Sequence, residues 1–536
     1  MAGLTLRVPN QTHKNSGVTP KVVWLISVAA TCAHVAVACF HGGPVAVPDI
    51  PSYLHVAQVV AGVGESWGTQ FHPGMGVILS PFALMGMGGS ALHTTALIIN
   101  GVAAGAVVAV SYRLAKALHA PHHVCLIVSL VGAVFPVLAV GSRTAWPEPL
   151  LALAVLGITT NLAAGTRNCR FWAGCIAASA VAFHPRALVF CGALVVALLL
   201  HRSRDATRNI LAGLLTGSMF TAFTLVATST WLWPRVSASL NGTALEQRVF
   251  AGIGQITALM GMTCGFAFLA ILFAWRHRKQ VTPLAQAATF AVTGALAMSI
   301  LGGWVLGGGD RPDLVMYSRY VAPFGLPLTI IGLITAAKNT TRRPIWIWPV
   351  LGWAAISIGS GWFIDESDRT YRRIMTISNG WAWTAASGHA RLALALSVGL
   401  VVACLGVLIF QPRGLMTVVV VLITACVVST VSNHHKLAEI GDIAQRQTQL
   451  HSAIPDMAEC LSFDGNSTKT YLEWLYRIEL PHMSFTTIDL QNGDQPCGTY
   501  VVAGASALRT CEGAVVQVSD PDTGWALWAY PTQGCD

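Results

Sequence analysis

The chain has 536 residues, of which 54% are hydrophobic and only 10% charged, with a mean hydropathy of +0.59. Soluble domains carry about 25% charged residues, so this composition excludes a soluble globular protein and implies a polytopic α-helical membrane protein. A net charge of +9 raises nucleic acid as a partner, but the placement of the basic residues argues against it.

Apolar runs of roughly the length that crosses a hydrocarbon core, about 17–25 residues, are read at 22–40, 91–112, 123–141, 150–165, 171–183, 188–200, 210–233, 255–275, 284–306, 321–337, 345–363, 392–410 and 415–431. That makes about 13 transmembrane helices. The runs 171–183 and 188–200 are short and read equally as one re-entrant hairpin. Residues 1–21 form a polar N-terminal segment with no cleavable signal peptide: the first run is a full span and no small-residue cleavage site follows it.

Residues 41–90 form a long first loop. Residues 1–48 contain no Asp or Glu, so Asp49 is the first acid of the chain. In the following PSYLHVAQVVAGVGESW, apolar residues leave only a thin polar face at His55, Gln58 and Gly62. Such a helix is expected to lie in the membrane interface. Next comes GTQFHPGMGVILSPFALMG, a His-Pro-Gly turn at His72 and then a second apolar stretch too short to span. Further along stand TAWPEPLLALAVLG (144–157), FHPRALVF (183–190) and YSRYVAPFGLPL (317–328). The first two place an ionisable residue next to a proline at the edge of a span, and the third places Arg319 four residues before Pro323.

Charge orients the spans. With the N-terminus cytoplasmic, the inner segments hold 17 Lys and Arg, and the outer loops up to residue 431 hold 10. Of the ten acids before residue 431, only Asp205 lies inside. This is the positive-inside pattern, and it accounts for the basic residues as topology signals. An odd number of spans then puts residues 432–536 outside. There STKTYLEWLYRIEL reads as a helix, and MSFTTIDL, GTYVVAGA, AVVQVS and GWALWAY as short strands, giving a small extracytoplasmic α/β domain. It contains Cys460, Cys497, Cys511 and Cys535, an even number that reads as two disulfides with three possible pairings. Their spacing lacks the paired CxxC of a zinc site, so no metal is expected. Walker A, GxGxxG, HExxH and GxSxG motifs are absent from the sequence.

The order Asp49-x-x-x-Tyr53-Leu, then Phe-x-Pro-Gly, then a Pro-containing apolar run resembles the first outer loop of GT-C class integral-membrane glycosyltransferases. These include the protein mannosyltransferases, the lipid A aminoarabinose transferases and the mycobacterial arabinofuranosyltransferases. The three later pieces resemble the Pro-Glu-Pro, Arg-Pro and Arg-Tyr-x-x-Pro segments of that class, in the same order. As motif the resemblance covers only about 45 residues; as architecture it covers most of the chain. It implies transfer of a sugar such as arabinofuranose or mannose from a polyprenyl-phosphate carrier to an envelope glycan, lipid or protein acceptor on the outer face. No dissociable cofactor is implied.

In that class an Asp at the start of the first outer loop acts as general base, and Asp49 is the position that matches. The protein mannosyltransferases carry Asp-Glu where this chain has Asp49-Ile50. The carrier phosphate gains charge as it leaves, so Arg residues at the outer boundary would stabilise it. Arg143, Arg186 and Arg319 are the candidates, with Arg372 and Arg373 further ones. Tyr53, His72, Glu148 and Tyr320 complete the expected substrate-binding set. Each has a plainer reading: helix cap for Asp49, interfacial anchor for Tyr53, turn residue for His72, helix-start acid for Glu148, lipid-headgroup contact for the arginines. A transporter or lipid flippase, or a sensing scaffold, are the other classes the composition admits.

Overall fold

The computed structural model describes residues 18–40, 49–63, 73–201, 203–227, 245–306, 312–338, 347–363, 377–411, 413–455, 457–467, 470–505, 513–521 and 524–530. His72, Arg372, Arg373, Cys511 and Cys535 lie outside these residues, as does the side chain of Asp49.

The helices in chain order are α1 (Val18–Phe40), α2 (Asp49–Ala61), α3 (Pro73–Leu84), α4 (Gly89–Ala117), α5 (His122–Ala133), α6 (Pro136–Gly141), α7 (Glu148–Ala164), α8 (Arg167–Ser179), α9 (Leu188–Leu200), α10 (Arg204–Ala227), α11 (Leu245–Met262), α12 (Phe266–His277), α13 (Pro283–Leu306), α14 (Ala322–Ala337), α15 (Ile347–Ser360), α16 (Gly380–Ala385), α17 (Ala390–Phe410) and α18 (Leu415–Thr448). Among the described residues, seven helical stretches are long and apolar enough to cross a membrane, with α5 and α6 counted together as one. Others that were read as spans, among them α7, α14 and α15, are apolar but 17 residues or fewer. The chain is a multi-pass membrane protein, and the count of 13 full spans is not what the helix lengths give.

One run is corrected outright. Residues 255–275 do not form a single straight helix: α11 and α12 meet at a bend of 102°. The cause is local. Cys264 and Gly265 take φ of +46° and +83°, which ends the helix, since left-handed backbone cannot continue a right-handed one.

The bundle has two chemically different ends. At one, α4, α7, α9 and α14 finish together. Lys338 Nζ donates to Leu118 O at 3.3 Å, His201 Nδ1 donates to Gln280 O at 2.7 Å, and Gly165 abuts Pro283. Arg113, Lys116, Arg167, Arg170, Arg278 and Lys279 belong to this end by sequence. At the other end stands the C-terminal domain, which meets the start of α4 and the first loop. Gln58 Nε2 donates to Ile478 O at 2.7 Å, and Ser90 Oγ bonds the Glu479 carboxylate.

That contact gives the thin polar face of α2 its cover: His55 and Gln58 are each 1% exposed, because they pack under the C-terminal domain. In that domain β1 (Cys460–Asp464), α19 (Thr470–Glu479), β2 (Ser484–Ile488), β3 (Tyr500–Gly504), β4 (Val515–Asp520) and β5 (Trp525–Ala529) form one sheet of order β2-β1-β3-β5-β4. β1 pairs in parallel with β2 and β3, while β5 runs antiparallel to β3 and β4. The four strands expected from sequence are joined by a fifth, β1, which lies between β2 and β3. Cys460 at its start is bonded to Cys497, just before β3, with Cα atoms 5.9 Å apart.

Candidate active site

The second end of the bundle also gathers the starts of three helices. Glu148 opens α7 between Pro147 and Pro149, positions where the missing N–H groups cost nothing because a helix start has no partner for them. An acid there is favoured by the helix dipole. Arg186 sits in the short turn before α9, where its backbone N donates to His184 Nδ1 at 3.2 Å. Arg319 lies in the turn before α14, which Ser318 closes by accepting from Ala322 N at 2.8 Å.

These three residues, 38 and 171 positions apart, meet. Arg186 Nη2 donates to Glu148 Oε1 at 2.8 Å, and Arg319 Nε donates to the same oxygen at 2.6 Å. All three are buried, at 4%, 5% and 0% exposure for Arg186, Arg319 and Glu148. A buried carboxylate between two guanidiniums is compensated, and the trio carries one net positive charge. Glu148 Oε2 and Arg186 Nε and Nη1 are buried with no hydrogen-bond partner among the described residues. Buried donors left open on a cationic cluster are the chemistry that takes an oxyanion.

Aromatic rings hold the guanidiniums in place. Arg186 lies over Tyr320 at 4.9 Å from the ring centroid and Arg319 over Trp146 at 3.9 Å. Cation–π stacking of this kind orients a guanidinium while leaving its edge available. Trp146 is fully buried, and Asn100 Nδ2 donates to its carbonyl at 3.0 Å and to Gly141 O at 3.3 Å, fixing the turn that leads into α7.

The first loop reaches the same region by two routes. Tyr53, one helical turn from Asp49, is fully buried and shares one apolar cluster with Leu54, Met75, Trp146, Ile377 and Ile478. Gly74, the second residue of α3, lies so close to the chain at Ala182–Phe183 that an added Cβ would stand 2.9 Å from Ala182 C and O. The first-loop segment therefore packs directly on the strand of chain that leads to His184 and Arg186.

Of the residues expected from sequence, the structure thus joins Glu148, Arg186, Arg319 and Tyr320 in one network and puts Tyr53 in the core beside it. Asp49 is the first residue of α2. Arg143 is elsewhere: its Nε donates to His434 Nδ1 at 3.3 Å, tying the turn after α6 to α18. Trp146 and Asn100 were not singled out. A signal existed for both: Trp146 stands inside the quoted TAWPEP, and Asn100 is a lone amide in an otherwise apolar run, where a polar group implies a partner. Among the described residues no three His, Cys, Asp or Glu side chains come together as a metal site.

Two solved structures share this fold along nearly the whole chain. ArnT from Cupriavidus metallidurans in the apo state superposes with a TM-score of 0.60 at 14% identity, covering 96% of this chain and 98% of that one. The same protein bound to undecaprenyl phosphate gives 0.59 at 13% identity, covering 97% and 99%. No family model matches the sequence, and no curated protein matches it. The chain therefore has the GT-C type of fold expected from its motifs, with a small C-terminal sheet domain.

Proposed function

We propose that the protein is a glycosyltransferase that moves a sugar from a polyprenyl-phosphate carrier to an acceptor hydroxyl at the membrane face bearing the C-terminal domain. The observation that carries this reading is the buried Glu148–Arg186–Arg319 cluster at the outer starts of α7, α9 and α14. It offers open guanidinium donors where a lipid carrier would present its phosphate. The fold it shares with ArnT, solved with undecaprenyl phosphate, agrees with a phosphate ligand of this class.

In this mechanism the acceptor oxygen attacks the anomeric carbon as the bond from that carbon to the phosphate oxygen breaks. Asp49, at the head of α2, takes the proton from the acceptor hydroxyl. Arg186 and Arg319 receive the charge that builds on the departing polyprenyl phosphate, and Glu148 keeps the two guanidiniums side by side. The basic loops at the opposite end of the bundle support a reading with that end in the cytoplasm and the C-terminal domain outside, at the plasma membrane. The acceptor is an envelope glycan, lipid or protein, and the sugar a pentofuranose or hexose. No metal or dissociable cofactor takes part.

The test is Asp49→Asn, assayed for transfer from a polyprenyl-phosphate sugar in purified, folded protein. The expected result is loss of transfer with unchanged donor binding. Activity near wild type would remove Asp49 as the base.

A further inference from the structure

A groove of about 1130 Å³ runs along the outside of α7, walled by α4 and α8. Its lining follows α7 from Leu150 to Ala164, which is about 20 Å of helix. Phe183, three residues before Arg186, lines it toward the start of α7, and Arg113 and Lys116 line it toward the end of α4. Both cations are solvent-exposed, and among the described residues neither makes an ion pair.

The walls between the two ends are mostly apolar side chains. Water does not settle in such a trough, because it needs two or more polar partners. In a bilayer the occupant is lipid. Arg113 and Lys116, three apart on one helix, share a face and stand at the basic end of the bundle, at the depth of a headgroup. A paired guanidinium and ammonium there select a phosphate over a neutral headgroup.

We propose that this groove is a binding site for an anionic glycerophospholipid of the leaflet opposite the C-terminal domain. Its phosphate rests on Arg113 and Lys116, and an acyl chain lies along α7 toward Phe183. The site is separate from the Glu148 cluster and does not depend on the transfer reaction. A polyprenyl phosphate held at Arg186 would enter the groove from the other end and leave Arg113 and Lys116 without a phosphate.

Native mass spectrometry of the delipidated full-length protein, titrated with phosphatidylglycerol or phosphatidylcholine, tests this. Wild type retains phosphatidylglycerol in preference. The double variant R113A/K116A loses that preference, by roughly tenfold or more for two cations at a headgroup. Gly157→Leu is a second, independent variant. A Cβ at Gly157 meets only Ile176 Cδ1, at 3.6 Å, so the backbone tolerates it and the longer side chain fills the groove. It reduces retention of phosphatidylglycerol. Equal retention of both lipids by wild type, or unchanged phosphatidylglycerol retention in either variant, overturns the proposal. So does a Gly157→Leu variant that loses added polyprenyl phosphate but keeps phosphatidylglycerol, which assigns the groove to the donor chain.

Discussion

Arg319 sits over Trp146, its guanidinium carbon 3.9 Å from the ring centroid, while its Nε donates to Glu148. The stack decides which edge of the guanidinium is used. Trp146 and Glu148 are two residues apart on the entry to α7, so one short segment provides both the platform and the counter-charge. Arg319→Lys keeps a positive charge and loses the planar fork and the stack. The expected outcome is a fall in kcat of about 10²–10³, the range for removing one oxyanion donor, measured as transfer from a polyprenyl-phosphate sugar. A drop of less than about threefold would show that charge alone, not the fixed plane, is needed.

Glu148→Gln leaves two guanidiniums facing each other in a buried site without a carboxylate. Removing one member of a buried ion pair costs about 3–5 kcal/mol. The variant is expected to melt well below wild type in detergent, and Arg186→Met with Glu148→Gln to recover part of that loss, because the repulsion is then relieved. A Glu148→Gln protein that melts with wild type would mean that the trio does not hold the three helix starts together.

The elements of this site were legible one at a time, and their meeting was not. Glu148 and Arg186 each adjoin a proline, and Arg319 stands four residues before Pro323, all at the edge of an apolar run, which marks them as boundary residues. Nothing local says that one oxygen of Glu148 receives both arginines, because 38 and 171 residues separate the partners. Arg143 has the same local signature and goes to His434 instead. The cover over the polar face of α2 was hidden for a related reason. Periodicity identifies a polar face but not what covers it, and His55 and Gln58 are covered by a domain more than 400 residues later in the chain. The fifth strand, CLSFD, was hidden because a five-residue interior strand flanked on both sides need not alternate. The break at Cys264–Gly265 was visible only as glycine content, which in membrane helices more often signals close packing.

Gly74 is where two of the ordered motifs touch. Its missing side chain lets the start of α3 approach the backbone at Ala182–Phe183, on the way to Arg186. Gly74→Ala forces a Cβ against backbone carbon and oxygen, which cannot rotate away as a side chain end could. The expected cost is about 1–3 kcal/mol of stability, together with reduced transfer, since the displaced segment carries Arg186. Gly192→Ala is the control: it sits in α9 with open space around it, and alanine there favours the helix. Thermal melts and transfer rates of the two variants, compared side by side, check this. Equal behaviour would mean that the first-loop contact at Gly74 is not needed to place Arg186.

The junction between α2 and the C-terminal domain is expected to weaken in acid. Burial of His55, with the nearby Arg477 charge adding to it, pushes its imidazole down to about 3 from the usual 6.5. When the junction opens, His55 meets water and regains its ordinary value. The open state therefore binds a proton more readily than the closed one between about pH 6.5 and 3, and closure loses free energy as pH falls through that window. The slope is about 1.4 kcal/mol per pH unit, so going from pH 7 to pH 5 costs about 2 kcal/mol. Above pH 6.5 both states hold neutral imidazole and the contribution is flat. Hydrogen exchange at the backbone of α19, around Ile478, is the direct measurement, because Gln58 bonds its carbonyl. Exchange there should quicken between pH 6.5 and 5 beyond the intrinsic pH effect, and His55→Gln should remove that excess. An excess that persists in His55→Gln would place the acid sensitivity on another group.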